Sequence, residues 1–191
     1  MVSFGGINTK ELMPIKSLAI FCGSKQGENP LYMLQANELG KLLASKGVTL
    51  VYGGGKKGLM GCVADGCMEA QGIVRGVIPQ VLMEWEHQHE GISELVVVDD
   101  MHVRKRKMYE LCDAAIILPG GFGTLDELFE ILTWNQLSIH DKKVFILNSA
   151  GFYNYLLQHL ELLTKEGFLY GELYDQLTVL QQPSDIEPFL I

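Results

Sequence analysis

Apolar residues along this chain gather in short continuous runs, and longer amphipathic stretches separate one run from the next. Residues 17–22 (SLAIFC), 48–52 (VTLVY), 74–78, 95–98 (LVVV), 114–118 (AAIIL), 144–147 and 178–180 predict strands. The runs lack a polar alternate, which predicts burial on both faces of a sheet. The segments between them carry helical spacing. Asn29 is a predicted N-cap with Pro30 as first helical residue, and Ala36, Leu39, Gly40 and Leu43 share one face up to a stop at Gly47. Further helices are predicted after GGGKKGLMG to about residue 70, over 101–112, from PGGFGT to about residue 138, and over 152–166. Strands alternating with helices through right-handed crossovers make a doubly wound, Rossmann-like α/β fold, with a mostly parallel sheet and helices on both faces. Such sheets take ligands at the carboxyl ends of their strands, where the strand order reverses. Residues 1–14 are expected to be a loose leader and 15–191 a single domain.

Composition narrows the partners. The chain has 191 residues, 48% apolar and 20% charged, a globular balance. A net charge of −8 and a pI near 5.1 exclude a general affinity for polynucleotides or anionic membrane. No apolar run approaches the roughly 20 residues of a membrane span. Cys22, Cys62, Cys67 and Cys112 form no CxxC pair, and the first residues lack the order of a signal peptide. Reduced thiols in a cytoplasm are expected. His87 and His89 stand two apart without a third ligand, so no metal is expected, and both are assigned to a polar loop.

Glycine changes the picture most. Ten of the 21 glycines fall in three loops: Gly23 and Gly27; Gly53, Gly54, Gly55, Gly58 and Gly61; Gly120, Gly121 and Gly123. Each loop follows a predicted strand and opens a predicted helix, which places all three at one edge of the sheet. Glycine lets backbone approach a ligand closely, and a helix N-terminus offers N–H groups to an anion. A phosphate-containing ligand is one explanation, and tight turns alone are the other. Gly53-x-Gly55-x-x-Gly58 fits the dinucleotide pattern, but the next strand ends Val77-Ile78-Pro79, without the acid that would hold a ribose. Leu59 stands where a Walker loop requires lysine. A mononucleotide or a sugar phosphate remains.

Two charged positions stand out. Arg104 and Lys105 fall within the stripe Met101, Met108, Leu111 and Cys112. There they either meet an anion or carboxylate, or snorkel to water from the first helical turn. Arg106 and Lys107 read as solvated. Glu127 completes a capping-box spacing with Thr124, which is its structural explanation. Leu125, Leu128, Phe129 and Leu132 are the predicted sheet-facing stripe, which leaves Glu127 with Ile131 and Trp134 on a second apolar face. That second face predicts a homodimer contact beside the site. Asp126 and Glu130 are expected to face solvent.

PGGFGTLDE at 119–127 resembles the PGGxGTxxE motif of the LOG family, the cytokinin riboside 5′-monophosphate phosphoribohydrolases long labelled lysine decarboxylases. MHVRK at 101–105 resembles their M-H-x-R-K motif. FCGS at 21–24, YGGGKKGLMG at 52–61, GVIP at 76–79 and TWNQLSIHDKKV from Thr133 are similar too, so the likeness covers residues 16–180. It implies hydrolysis of the N-glycosidic bond of an adenosine 5′-monophosphate, above all an N6-prenylated one. The products are free base and ribose 5-phosphate. By resemblance Arg104 and Glu127 are catalytic, Gly120, Gly121, Gly123 and Thr124 bind phosphate, and Glu86 lies near the base. Gly23, Ser24, Gly53, Gly54, Gly55, Met101 and Lys105 complete the expected substrate contacts, and no cofactor is expected. Val103 stands where Glu or Gln is common in the family, Asp126 where Glu is, and Lys25 where Ser is.

The chemistry suits these residues. Glycosidic cleavage passes through an oxocarbenium-like sugar, which a carboxylate such as Glu127 stabilises while orienting or deprotonating water. The departing base gains electron density, which a cation such as Arg104 offsets. Arg104 could equally position the phosphate or keep Glu127 ionised. Two rivals remain. A pyridoxal-dependent decarboxylase needs a Schiff-base lysine, for which Lys105 is the only candidate. A non-catalytic mononucleotide-sensing module would keep the glycine loops without needing Arg104 and Glu127 together.

Overall fold

The structure is a computed structural model that describes residues 14–83 and 87–190. The expected leader, apart from Pro14, lies outside the described residues, as does Glu86. Among the described residues seven strands form one sheet: β1 Ser17–Phe21, β2 Thr49–Tyr52, β3 Val74–Pro79, β4 Glu94–Val98, β5 Ala114–Ile117, β6 Lys143–Leu147 and β7 Leu177–Leu180. Their order is β4-β3-β2-β1-β5-β6-β7, and every neighbouring pair is parallel. The apolar runs become strands because both faces are covered. All four residues of β5, next to the centre, are fully buried.

Helices among the described residues include α1 Pro30–Ser45, α2 Gly58–Glu69, α3 Met101–Leu111, α4 Phe122–Gln136, α5 Asn154–Lys165 and the single turn α6 Leu173–Gln176. Leu18 and Ile20 of β1 pack into a core with Leu39 and Leu43 of α1 and Val63 of α2. Ala19 and Phe21 point the other way, to Met108 of α3, Leu128 of α4 and Leu157 of α5. This is the doubly wound, Rossmann-like arrangement. Right-handed crossovers put α1 and α2 on one face and α3, α4 and α5 on the other, because the chain changes direction after β4.

Strand order reverses between β1 and β5, and the chain stays knitted beyond both strand ends. Leu118 N–H donates to Phe21 O at 2.9 Å, and Gly23 N–H to Pro119 O at 3.0 Å. The helix expected from residue 152 begins two residues later. Residues Ser149–Gly151 form a separate 3-10 turn, with Ala150 at φ 51° and Gly151 at φ 72°. Among the described residues no helix is long and apolar enough to cross a membrane.

Candidate active site

The three glycine loops meet at the carboxyl edge of the sheet. Gly23 joins them, donating its N–H to Pro119 O at 3.0 Å and accepting the N–H of Leu59 at 3.1 Å. Gly58, at φ +60°, lies so close to Ser24 and Lys25 that a Cβ there would come within 2.4 Å of backbone. Between these loops opens a cleft of about 360 Å³, walled by Tyr32 and Phe152, whose ring centroids are 5.6 Å apart.

Helix α4 starts at this edge. Its N-cap is Gly121, without a side-chain cap, and Phe122 is its first residue. Helix geometry leaves the first N–H groups without a carbonyl one turn earlier, so they face whatever anion enters. A Cβ at Gly121 or Gly123 would meet nothing within 4 Å, so this rim is open. Thr124 is buried instead, against Gly120, where a Cβ would lie 2.1 Å from Thr124 Oγ1. The helix therefore begins earlier than the capping-box spacing implies. Thr124 is its third residue, and the expected box with Glu127 does not form.

Arg104 sits in the first turn of α3 at only 5% exposure and does not snorkel. Its Nε donates to Val77 O at 3.1 Å and its Nη2 to Gly53 O at 3.0 Å, which are carbonyls at the ends of β3 and β2. Gly53 makes room for this, since a Cβ there would lie 2.0 Å from Arg104 Nη2. Met101, half exposed at the head of the helix, has its sulfur 3.7 Å from Nη1. A buried guanidinium thus stands at the rim with its orientation set by backbone.

Glu127 is half-buried on the second turn of α4, and its backbone carbonyl faces the Tyr109 hydroxyl at 3.3 Å. Burial pushes the Tyr109 phenol well above its ordinary range, helped by Glu130 and then by Glu127. Burial does the same to Tyr153, with smaller contributions from Cys22 and Glu127. Both phenols stay neutral beside the carboxylate. Lys105 Nζ is 3.0 Å from Asp126 Oδ2 and 3.0 Å from Glu130 Oε1. Burial alone would lower the Lys105 pKa, but bonding and charge from Glu130 and Asp126 prevail and raise it. Lys105 therefore meets carboxylates: Asp126 pairs with it while staying exposed to solvent as expected, whereas Glu130 is drawn in and half-buried. Each candidate catalytic residue is one position from this ion pair, Arg104 beside Lys105 and Glu127 beside Asp126.

The expected second apolar face on α4 is corrected. Ile131 is fully buried in the core, and Trp134 packs on Tyr109 of α3 with centroids 5.1 Å apart, so the same chain covers both. Phe129, assigned to the sheet, is instead 41% exposed. Ile131 follows Leu128 by three positions and shares its inward face, whereas Phe129 is turned about 100° away from Leu128. His89 is corrected too, being buried with Nε2 3.0 Å from Asp65 Oδ1 and Nδ1 2.9 Å from Glu90 O. The segment around it pairs with the second glycine loop, through His89 N–H to Gly54 O and Lys56 N–H to His87 O, both 2.9 Å. Gly55 bridges Gln88 there, while Ser24 stays exposed on the first loop. Tyr109 was not singled out from sequence, yet it lies four residues after Lys105, the spacing of one helix face.

The chain is similar to known proteins. The sequence model of a family described as "Possible lysine decarboxylase" matches residues 60–188. The cytokinin riboside 5′-monophosphate phosphoribohydrolase LOG5 of Arabidopsis thaliana is 46% identical over 154 residues, covering 81% of this chain and 68% of that protein. Its relative LOG1 from the same plant is 47% identical over 154 residues, covering 81% and 72%. Among solved structures, the Moco carrier protein of Chlamydomonas reinhardtii superposes with a TM-score of 0.67 at 19% identity, covering 91% of this chain and 96% of that one. The molybdenum cofactor binding protein of Rippkaea orientalis gives 0.67 at 22% identity, covering 91% and 93%. At such identities these two structures share the fold.

Proposed function

The chain belongs to the family of cytokinin riboside 5′-monophosphate phosphoribohydrolases, and from that premise we propose that it hydrolyses the N-glycosidic bond of N6-substituted adenosine 5′-monophosphates. The products are the free base, of cytokinin type, and ribose 5-phosphate. One observation carries the assignment of residues: Glu127 stands on the second turn of the helix whose open N-terminus follows the Gly120–Gly121 loop, beside the helix that buries Arg104. Five residues along a helix span about 7 Å, the scale of a ribose 5-phosphate. A phosphate bound at Gly120, Gly121, Gly123 and Thr124 then directs the sugar toward Glu127.

In this scheme Glu127 stabilises the oxocarbenium-like sugar and takes a proton from the attacking water. Water supplies the hydroxyl on the anomeric carbon, and the base leaves with the bonding electron pair and gains a proton. Arg104 offsets negative charge developing on the base. Gly53, Gly54 and Gly55 hold Arg104 and its loop, Gly23 and Ser24 line the phosphate side, and Met101 lies toward the base. The lysine decarboxylase description does not fit these residues. Schiff-base chemistry needs a neutral amine, whereas two carboxylates hold Lys105 charged. The protein acts as a homodimer in a reducing cytoplasm; exposed Phe122 and Phe129 support the first and four free cysteines the second.

The test is incubation with AMP and with N6-isopentenyl-AMP, followed by chromatography for base and ribose 5-phosphate. Release is expected from the substituted nucleotide, and Glu127→Ala is expected to slow it about 100-fold or more. Tight binding without release from either nucleotide favours a sensing module instead.

A further inference from the structure

We propose that Lys105, Glu130 and Tyr109 form a positioning unit that fixes Glu127 against α3 and keeps its carboxylate ionised. The inference rests on the hydrolase assignment above. Glu130 bridges the unit, with Oε1 3.0 Å from Lys105 Nζ and Oε2 3.1 Å from the Tyr109 hydroxyl. The same hydroxyl stands 3.3 Å from the Glu127 carbonyl, so its one proton is shared between the two residues. Tyr109 is itself held by its ring, 5.8 Å from Phe21 at the end of β1 and 5.1 Å from Trp134. A strand end, α3 and the catalytic turn of α4 are therefore joined through one side chain.

Such a link matters because a carboxylate serving a sugar cation must be held to within about 0.5 Å. Charge gives the unit a second task. Asp126, Glu127 and Glu130 are three carboxylates within two turns of one helix, and like charges raise one another's proton affinity. Lys105 answers two of them directly, at 3.0 Å each. Tyr109 of α3 and Tyr153 ahead of α5, both neutral, lie within electrostatic reach of Glu127, and Arg104 stands at the rim beside Lys105. The positive charge of Lys105, paired with Asp126 and Glu130, thus offsets part of the repulsion within α4.

Two variants test this against a merely structural role. Tyr109→Phe keeps the ring and removes the hydroxyl; kcat is expected to fall three- to ten-fold with KM within two-fold and the melting temperature nearly unchanged. Lys105→Met is expected to move the acid limb of the kcat profile upward by about one pH unit, and Lys105→Arg to restore it. A rise in KM alone for Lys105→Met overturns the proposal and makes Lys105 a substrate ligand. Wild-type kcat and acid limb in Tyr109→Phe and Lys105→Met overturn it as well, and leave the hydrolase assignment standing. Failure of the wild-type protein to cleave overturns both.

Discussion

Arg104 shows how much a single residue depends on distant backbone. Its guanidinium is turned by the carbonyls of Gly53 and Val77, 51 and 27 positions away. The prediction is that Gly53→Ala forces it off both carbonyls, because the new Cβ would lie 2.0 Å from Nη2. Overpacking of this kind costs about 1–3 kcal/mol. Turnover should fall far more than stability, read as kcat beside a denaturant midpoint. Gly121→Ala is the companion, since its Cβ meets nothing within 4 Å. That variant should fold normally, so a raised KM would report lost access to the phosphate loop. A wild-type kcat in Gly53→Ala would remove Arg104 from the mechanism. The glycine loops and Arg104 were legible in the sequence as unusual residues. The reason they need each other was not, because the contact spans half a sheet and leaves no local periodicity.

Elements were legible where local rules act alone. The seven apolar runs become seven strands within a residue or so, because burial on both faces leaves a continuous signature. Helix registers were harder. Thr124-x-x-Glu127 matches a cap, yet the helix begins earlier, after Gly121, and its inward face runs through Thr124, Leu128, Ile131 and Leu132 and leaves Phe129 outside. Pairing of Lys105 with Asp126 and Glu130 depends on how α3 and α4 pack, which no single-helix pattern contains. Capping carries a prediction at this scale. Asp100 Oδ1 accepts the N–H groups of His102 and Val103 at 2.8 and 2.9 Å, opening the helix that bears Arg104. The Val103 bond, followed by that from His102, holds the Asp100 carboxyl below the usual range. A depressed carboxylate contributes stability above its unfolded pKa, about 3.9, and loses it as pH falls through the folded value. Asp100→Ala should therefore melt below wild type at pH 6, and the gap should close below about pH 4. A gap that persists at low pH would mean the charge plays no part.

At the scale of the molecule, the sheet gathers the site at one edge and leaves the outer side of α4 incompletely covered. Phe122 is 94% exposed and Phe129 41%, on the helix that also carries Glu127. Phe122 and Phe129 are seven positions apart on one helix face, and an exposed apolar patch rimmed by polar residues marks a docking surface when it is contiguous. The charge of −8 does not forbid self-association, because an isologous contact buries the same patch twice and can leave the acidic surface outside. Sedimentation velocity should accordingly return a species of twice the 21.3 kDa chain. Phe129→Glu should shift it toward monomer by placing two like charges at the contact. Phe129 follows Glu127 by two positions and projects from the other side of α4, so the variant separates two consequences of assembly. If the monomeric variant keeps wild-type kcat, the active site is complete within one chain. If kcat falls while Tyr109→Phe and wild type remain dimeric, the second copy closes the open rim around the substrate. A wild-type protein that sediments as a monomer at tens of micromolar removes the dimer altogether, and leaves Phe122 and Phe129 as the exposed rim of a single-chain site.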